Sequence, residues 1–202
     1  MRDFYHNLIT QKSWQSLKDL QKNYQFILIG DWAVFLYTET LKSKDIDLVM
    51  EYGGLERLRE EFEVFKNERL KKYEARKEEA EIDIYVPFYS NPGLPAEDLR
   101  KFPVFLKGFK TVEKEILAIL KQKALMARTN SPKGRKDLAD LVSLFSLDDF
   151  DWQKYQKIIL ENKLGNFLVT IREIIRKTRE LNEIGLNVHR FARFKKKILP
   201  AL

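Results

Sequence analysis

The pattern of apolar and polar positions divides the chain into two parts. Up to about residue 112, short apolar runs such as QFILI (25–29) alternate with helical patterns. Two segments in this part, KDIDLVM (44–50) and EIDIYVPF (81–88), alternate apolar and polar residues as strands do. From residue 113 onwards the apolar spacing is helical. The pattern therefore predicts an α+β domain over residues 1–112 and a helical domain over residues 113–202.

Individual elements follow from the same pattern and from turn residues. We expect Gly30 to turn the chain from the strand at 25–29 into a short helix, with Asp31 as its N-cap. A charged hairpin is predicted at about 69–87, and its first arm belongs at a sheet edge or in solvent. The other elements predicted for the first domain are helices at 3–22 and about 54–66, a strand at 44–50, a loop at 90–101 and an extended stretch at 103–112. The helices predicted for the second domain lie at 113–128, 135–145, 151–162, 166–182 and 187–198.

Two carboxylates stand close together on the second predicted strand. Asp45 and Asp47 are two residues apart, so their side chains point to the same face. Like charges about 4 Å apart repel by up to about 4 kcal/mol at an effective dielectric constant of about 20. Such a pair needs a metal ion or basic side chains nearby. Asp83, on a later strand, could join the same face and complete a cluster of three.

Three converging carboxylates are typical of sites that hold two hard cations about 3.5–4 Å apart for in-line phosphoryl transfer. The helix after Gly30 would begin beside them, where backbone N–H groups can hold phosphate oxygens. The plainer alternative is three solvent-facing residues at a sheet edge, although Asp is disfavoured in strands.

Composition narrows the chemistry further. The chain has no cysteine and two histidines, His6 and His189, which excludes thiolate sites and disfavours a zinc hydrolase or a histidine-based triad. Any metal would then be bound by oxygen atoms, which points to Mg²⁺ or Mn²⁺. There is no apolar run of roughly 20 residues and no apolar signal-peptide core, so we expect a cytoplasmic protein without membrane contact. The charged fraction of 33% also fits a thermophilic protein.

The positive charge is concentrated near the end of the chain. Residues 151–202 hold 12 basic and 5 acidic side chains, so the whole formal net charge of +7 falls there. The run RFARFKKK interleaves phenylalanine with basic residues, which suits RNA. The alternative is an amphipathic helix that docks Phe191 and Phe194 and keeps its charges in water. The basic residues of this run are Arg190, Arg193, Lys195, Lys196 and Lys197.

The order strand–Gly–helix, then Asp-x-Asp on the next strand and a third Asp on a later strand, resembles the nucleotidyltransferase fold of the DNA polymerase β type. Within it, IGDWAVFLY…LKSKDIDLV is most similar to AbiEii-like and minimal (MNT-type) nucleotidyltransferases of bacteria and archaea. The later helices resemble the E-x-L…K…A…R…K-D-x-x-D pattern of AbiEii-like proteins. The residues that match it are Glu115, Leu117, Lys121, Ala124, Arg128, Lys136, Asp137 and Asp140. The resemblance covers roughly residues 25–145.

This resemblance implies a mixed β-sheet nucleotidyltransferase core with flanking helices, followed by a helical bundle. It implies a transfer of NMP from an NTP to a hydroxyl of a protein, a tRNA or a small molecule. Asp45, Asp47 and Asp83 would bind Mg²⁺ or Mn²⁺, and Asp83 would also accept the proton of the acceptor hydroxyl. The residues expected to contact the nucleotide or brace the site are Gly30, Asp31, Ser43, Lys44, Lys121, Lys136 and Asp137.

Two positions depart from the family pattern. Asp31 follows Gly30 where the family usually has Gly or Ser, and Leu41 stands where the family often has Arg, with Lys42 or Lys44 as the nearest replacement. A carboxylate beside a triphosphate repels it by about 1 to 4 kcal/mol, depending on solvation. One alternative is therefore a fold that has lost catalysis and serves as a binding or regulatory module, for example with a toxin or antitoxin partner. Another is an RNA-binding protein that uses the basic C-terminal helices.

Overall fold

The computed structural model describes residues 2–77 and 80–202, with the side chains of residues 2–7 excepted. The helices are α1 (Arg2–Asn23), α2 (Gly30–Thr38), α3 (Tyr52–Leu58), α4 (Lys114–Ala127), α5 (Pro132–Phe145), α6 (Trp152–Glu161), α7 (Asn166–Lys177) and α8 (Val188–Ile198). The strands are β1 (Ile27–Ile29), β2 (Asp45–Val49), β3 (Glu63–Asn67), β4 (Lys72–Lys77), β5 (Ala80–Tyr85), β6 (Pro103–Leu106) and β7 (Phe109–Val112). The chain divides into two compact units, Met1–Glu113 and Lys114–Leu202. In the described part of the chain, no helix has the length and apolar character to cross a membrane.

The first unit is built on one mixed sheet. Within the described residues its strands follow the order β3-β4-β5-β2-β1-β7-β6. The central strands β2 and β5 are parallel, as are β1 and β7, whereas the neighbours β1 and β2 are antiparallel. Helices flank this sheet and a helical unit follows it, which confirms the predicted fold class of a mixed-sheet α+β core with a C-terminal helical bundle.

The hydrophobic pattern explains which strands lie at the centre. All of β1 is buried, as expected for an apolar strand with neighbours on both sides. On β2 and β5 the buried apolar residues alternate with polar ones, so that Ile46 and Ile82 lie side by side on the core face. Helix α1 packs against this part of the sheet. The opposite face of β2 and β5 is left for their charged residues.

The aromatic residues of α1 and α2 add to the core of the first unit. The Trp14 and Trp32 rings lie 4.9 Å apart, and Trp32 Nε1 donates a hydrogen bond of 2.9 Å to Ser13 Oγ. The helix predicted at 3–22 is confirmed. Of the apolar stripe that its sequence forms, Leu17 and Leu20 are buried and Leu8 is exposed; the stripe comprises Phe4, Leu8, Trp14, Leu17 and Leu20. Phe4, which the same stripe includes, lies outside the described side chains.

Two sequence predictions for the first unit are wrong. The predicted helix at 54–66 ends at Leu58, and residues 63–67 form strand β3, where Phe65 is exposed. Because β3 is a further strand outside β4, the charged arm of the hairpin does not form the sheet edge. Its charges are accommodated by cross-strand partners instead, such as Arg76 opposite Glu63.

The extended stretch at 103–112 is a hairpin of β6 and β7. Its two turn residues, Lys107 and Gly108, both have positive φ angles (49° and 88°), which is the backbone that tight two-residue hairpin turns require. Strand β7 then joins β1 at the centre of the sheet.

The second unit is mainly helical, and three of its helices begin at side-chain caps. Ser131 caps α5, Asp151 caps α6 and Asn187 caps α8, each by accepting a backbone N–H three residues later. The predicted helix at 166–182 ends earlier, at Lys177, and residues 182–184 form a short 3₁₀ turn. On α8 the rings of Phe191 and Phe194 are buried.

Candidate functional site

The three predicted carboxylates lie on one face of neighbouring parallel strands. In the register of β2 and β5, Asp47 is paired with Asp83 and Asp45 with Glu81. Directly paired residues point to the same side of a sheet, and residues two apart on one strand do as well. Asp45, Asp47 and Asp83 therefore share a face, as their spacing predicted.

Gly30 is held against this cluster by its position after β1. Ile29 is paired with Asp47 across the antiparallel β1–β2 ladder, and α2 begins at Gly30 immediately afterwards. Gly30 has a φ of +68°, and a Cβ atom added to it would lie 2.1 Å from Asp47 Oδ2. Only glycine fits, because the backbone conformation disfavours a side chain and the Asp47 carboxylate fills the space that a side chain would take.

Asp31 does not cap α2, contrary to the sequence prediction. The helix already begins at Gly30, its N-cap is Ile29, and the cap makes no side-chain hydrogen bond. Asp31 instead lies in the first turn, where a carboxylate interacts favourably with the helix dipole. The chain turns at Gly30 directly after β1, so the helix begins two residues earlier than it would with Asp31 as its N-cap.

Ser43 connects this helix start to the acidic strand. Its hydroxyl donates to Asp31 Oδ2 at 3.3 Å, and the backbone N–H of Asp45 donates to Ser43 Oγ at 3.2 Å. Ser43 is buried, so its hydrogen bonds fix the loop that leads into β2. The structure thus brings Gly30, Asp31 and Ser43 together beside the carboxylates.

Basic side chains partly balance the acidic face. Lys44 Nζ lies 3.7 Å from Asp45 Oδ1 and 3.8 Å from Glu81 Oε2, with most of its side chain in solvent. Lys72, which begins β4, is buried, and its Nζ lies 2.5 Å from Asp83 Oδ2 and 3.5 Å from Glu74 Oε1. Sequence reasoning missed Lys72, because only the register of β4 against β5 selects it from the charged arm.

Burial and neighbouring charges act in opposite directions on Asp83. Burial raises the pKa of Asp83 above its ordinary value, and the negative charges of Glu74 and Asp45 act in the same sense. The hydrogen bond and the charge of Lys72 oppose that rise in pKa. Asp83 and Asp45 are thus close enough to interact electrostatically.

The donor set suits a hard divalent cation. Carboxylate oxygens on adjacent strands are the ligands that Mg²⁺ and Mn²⁺ prefer, and the described part of the chain contains no thiolate. Because Gly30 has no side chain, the Asp47 carboxylate can lie directly against its backbone. Asp45, Asp47 and Asp83 are the residues that would hold such a cation, and their role as metal ligands stays a prediction.

The predicted nucleotide contacts of the second unit form a buried ionic network. Lys121 Nζ lies 2.7 Å from Asp140 Oδ2 and 3.5 Å from Asp137 Oδ1. Arg128 holds Asp137 with two hydrogen bonds, of 2.6 Å from Nε and 3.0 Å from Nη2. Lys121 and Asp137 are thus brought together, whereas Lys136 is only partly buried on α5. Their contact with a nucleotide stays a prediction.

The basic C-terminal helix has the amphipathic form that was the alternative to RNA stacking. Phe191 is fully buried and Phe194 nearly so, which leaves neither ring open to a base. Lys195 Nζ donates to the carbonyl oxygen of Arg176 at 2.7 Å, and Lys197 Nζ lies 3.0 Å from Asp148 Oδ1. RNA contact through Arg190, Arg193 and the three lysines stays a prediction.

Solved structures match this chain at low sequence identity. The structure of JHP933 from Helicobacter pylori matches with a TM-score of 0.50 and 14% identity, over 96% of this chain and 93% of that one. A putative nucleotidyltransferase from H. pylori matches with a TM-score of 0.44 and 14% identity, over 96% and 93% of the two chains. An antigenic nucleotidyltransferase-like protein from Paracoccidioides brasiliensis matches with a TM-score of 0.41 and 16% identity, over 78% and 89%.

No protein-family model and no curated protein matches the sequence. The similarity to JHP933 concerns the fold alone. The strand–Gly–helix–strand order, with Asp45 and Asp47 on β2 and Asp83 on its parallel neighbour β5, is the order of elements that the sequence predicts.

Proposed function

We propose that this protein is a metal-dependent nucleotidyltransferase of the AbiEii-like kind, which moves NMP from an NTP to a hydroxyl of a protein, a tRNA or a small molecule. The observation that carries the proposal is the pairing of Asp47 with Asp83 on parallel strands, next to Asp45 and against the backbone of Gly30. A structural role alone does not call for carboxylates in this arrangement, because Asp is disfavoured in strands.

Each residue has a distinct task in the proposed reaction. Asp45, Asp47 and Asp83 would hold Mg²⁺ or Mn²⁺, which supplies charge stabilisation when bound. The backbone N–H groups at the start of α2 would hold triphosphate oxygens. Asp83 would accept the proton of the acceptor hydroxyl, whose oxygen forms a bond to the α-phosphorus. The bond from that phosphorus to the bridging oxygen breaks, and pyrophosphate leaves.

A second candidate is a nucleotidyltransferase fold that has lost catalysis and serves as a binding or regulatory module, for example in a toxin–antitoxin pair. Asp31 favours it, because this carboxylate lies in the first turn of α2, where phosphate oxygens would bind. Substitution Asp31→Gly separates the candidates. A gain in NTP affinity supports a site that has drifted, whereas a loss of activity means that Asp31 takes part in the reaction.

The test of the proposed activity combines binding and turnover. The purified protein is titrated with each of the four NTPs in the presence of Mg²⁺ or Mn²⁺ by calorimetry. It is also incubated with α-³²P-labelled NTPs and total tRNA or cell protein. We expect metal-dependent binding of at least one NTP and transfer of label to one acceptor class. Asp47→Asn should abolish both, since the interaction of this carboxylate with the metal cannot be replaced by an amide.

Asp148→Asn is the matched control. Asp148 is almost wholly exposed and pairs only at the surface with Lys197, so its loss should leave NTP binding unchanged. No NTP binding by the wild-type protein with either metal would refute the enzyme proposal. Binding that is equally strong in the Asp47→Asn variant would refute the role of this carboxylate.

A further inference from the structure

Lys72 occupies an unusual position for a lysine. Only 9% of the residue is exposed, whereas lysines are seldom buried unless they are paired. Its ammonium group lies 2.5 Å from Asp83 Oδ2 and 3.5 Å from Glu74 Oε1. The buried ammonium group of Lys72 is therefore paired with Asp83, the carboxylate that completes the acidic cluster.

The register of the sheet explains how Lys72 reaches Asp83. Asp83 is directly paired with Glu74 on the antiparallel β4, and Lys72 is two residues before Glu74, on the same face. Lys72 is thus a diagonal neighbour of Asp83, at a distance that a long side chain can span. Asn67 Nδ2 donates a 2.7 Å hydrogen bond to Glu74 Oε1, which lowers the pKa of Glu74 and keeps it charged beside Lys72.

We infer that Lys72 is a resident counter-cation of the acidic cluster, which competes with a divalent metal ion for Asp83. The inference rests on the proposed function, since it concerns the same metal site. Without metal, Lys72 compensates the charge of Asp83 and holds its side chain in place. When metal binds, the positive charges of the ammonium group and the metal ion repel each other. Lys72 therefore stabilises the metal-free protein and weakens metal affinity.

This role predicts opposite changes in two measured quantities when the lysine is removed. The variant Lys72→Met should be less stable without metal, because Asp83 and Glu74 lose their cation in a partly buried position. It should also bind Mn²⁺ more tightly, by about tenfold or more, because the competing charge is gone. Stabilisation by a given concentration of Mn²⁺ should then be larger in the variant, since binding to the folded state alone adds stability.

The experiment measures Mn²⁺ affinity by electron paramagnetic resonance and stability by urea unfolding, with and without Mn²⁺. The matched control is Lys77→Met, a lysine on the same strand whose exposed side chain pairs with Glu61 at 3.3 Å. We expect the control to keep wild-type Mn²⁺ affinity. Lys72→Arg retains the charge and should stay close to the wild-type affinity.

A double-mutant cycle with Asp83→Asn tests whether Lys72 acts through Asp83. In the Asp83→Asn background, Lys72→Met should change Mn²⁺ affinity much less than it does in the wild-type background. A purely structural role of Lys72 would not produce this coupling. An equal change in both backgrounds would overturn the inference.

The outcomes separate the inference from the proposed function. No Mn²⁺ binding by the wild-type protein refutes the metal site itself. Wild-type binding that Lys72→Met leaves unchanged or weakens refutes the inference and leaves the proposed function standing. If Lys72→Met does not fold without metal, recovery of its circular dichroism on addition of Mn²⁺ supports the inference, and failure to recover counts against it.

Discussion

The substitution Gly30→Ala tests the geometry of the candidate site directly, because the backbone of Gly30 lies against the Asp47 side chain. A Cβ atom at this position would lie 2.1 Å from Asp47 Oδ2 and 2.6 Å from Asp47 Cγ. Both distances are below 3.0 Å, and real Cβ atoms essentially never come that close to another heavy atom. The Asp47 side chain or the backbone must therefore shift. The φ angle of +68° adds strain for any residue with a side chain.

The expected cost follows from these two effects. Left-handed backbone costs a non-glycine residue about 1–2 kcal/mol. A displaced Asp47 side chain adds about 0.5–1.5 kcal/mol. The smaller conformational entropy of the unfolded alanine variant returns about 0.4–1 kcal/mol. We expect a net loss of about 1–3 kcal/mol in the free energy of unfolding, measured by urea titration, and a fall in Mn²⁺ affinity because Asp47 leaves its position.

Gly53→Ala is the matched control for this prediction. Gly53 lies in α3, and nothing stands within 4 Å of the position that its Cβ would take. Alanine there should raise stability by about 0.5–1 kcal/mol through helix propensity. In an Asp47→Ala background, Gly30→Ala should cost less, because the two closest atoms are gone. A Gly30→Ala variant with wild-type stability and Mn²⁺ affinity would refute the reasoning.

Two further predictions concern ion pairs of the helical unit. Lys121→Met should lower the free energy of unfolding by about 3–5 kcal/mol in urea unfolding, because it leaves the buried Asp140 and Asp137 without this cation. The control Lys123→Met changes an exposed residue on the same helix and should alter the free energy of unfolding by no more than about 0.5 kcal/mol. A similarly small effect of both substitutions would contradict the prediction. Arg135 lowers the pKa of Glu183 in the folded protein, so their pair adds stability above the unfolded glutamate pKa of about 4.3 and loses it as the pH falls through the lower folded value. Glu183→Gln should therefore cost up to about 1 kcal/mol at pH 7, and the difference from the wild type should shrink towards pH 2; a difference that is constant with pH would contradict this.

The parts of the fold that the sequence predicted are those in which local pattern and tertiary environment agree. β1 is apolar throughout, and β2 and β5 alternate around their aspartates, so both their strand character and the shared face of Asp45, Asp47 and Asp83 could be read from spacing. The start of the helix predicted at 151–162 was similarly local, because the Asp151 side chain accepts a hydrogen bond from the backbone N–H three residues later.

The failures occur where a distant partner decides the outcome. Leu55, Leu58, Phe62 and Phe65 have helical spacing, yet residues 63–67 pair with β4 and leave Phe65 exposed. Local spacing cannot reveal this, because a strand is fixed by its neighbour. The role of Lys72 was missed for the same reason, since only the register of β4 against β5 selects this lysine from the charged arm.

The face of the sheet that holds Asp45, Asp47 and Asp83 carries more negative than positive side chains. The sequence argument required a metal ion or basic side chains near Asp45 and Asp47, and the structure provides the second of these. On strands β2 to β5, six carboxylates share this face with three cations, so a formal charge of about −3 is left over. The carboxylates are Asp45, Asp47, Glu63, Glu74, Glu81 and Asp83, and the cations are Lys44, Lys72 and Arg76.

The three cations differ in how strongly they balance the acidic face, because they differ in their exposure to solvent. Lys44 and Arg76 are largely in solvent, where water and salt screen their charges, whereas Lys72 is buried beside Asp83. A residual charge of about −3 is not balanced by one divalent cation alone, and a second cation would have to displace Lys72 from Asp83. If the proposed reaction uses two metal ions, the Lys72→Met variant should therefore bind more Mn²⁺ ions per chain than the wild-type protein does. The side chain of Lys72 would then set the metal stoichiometry of the site.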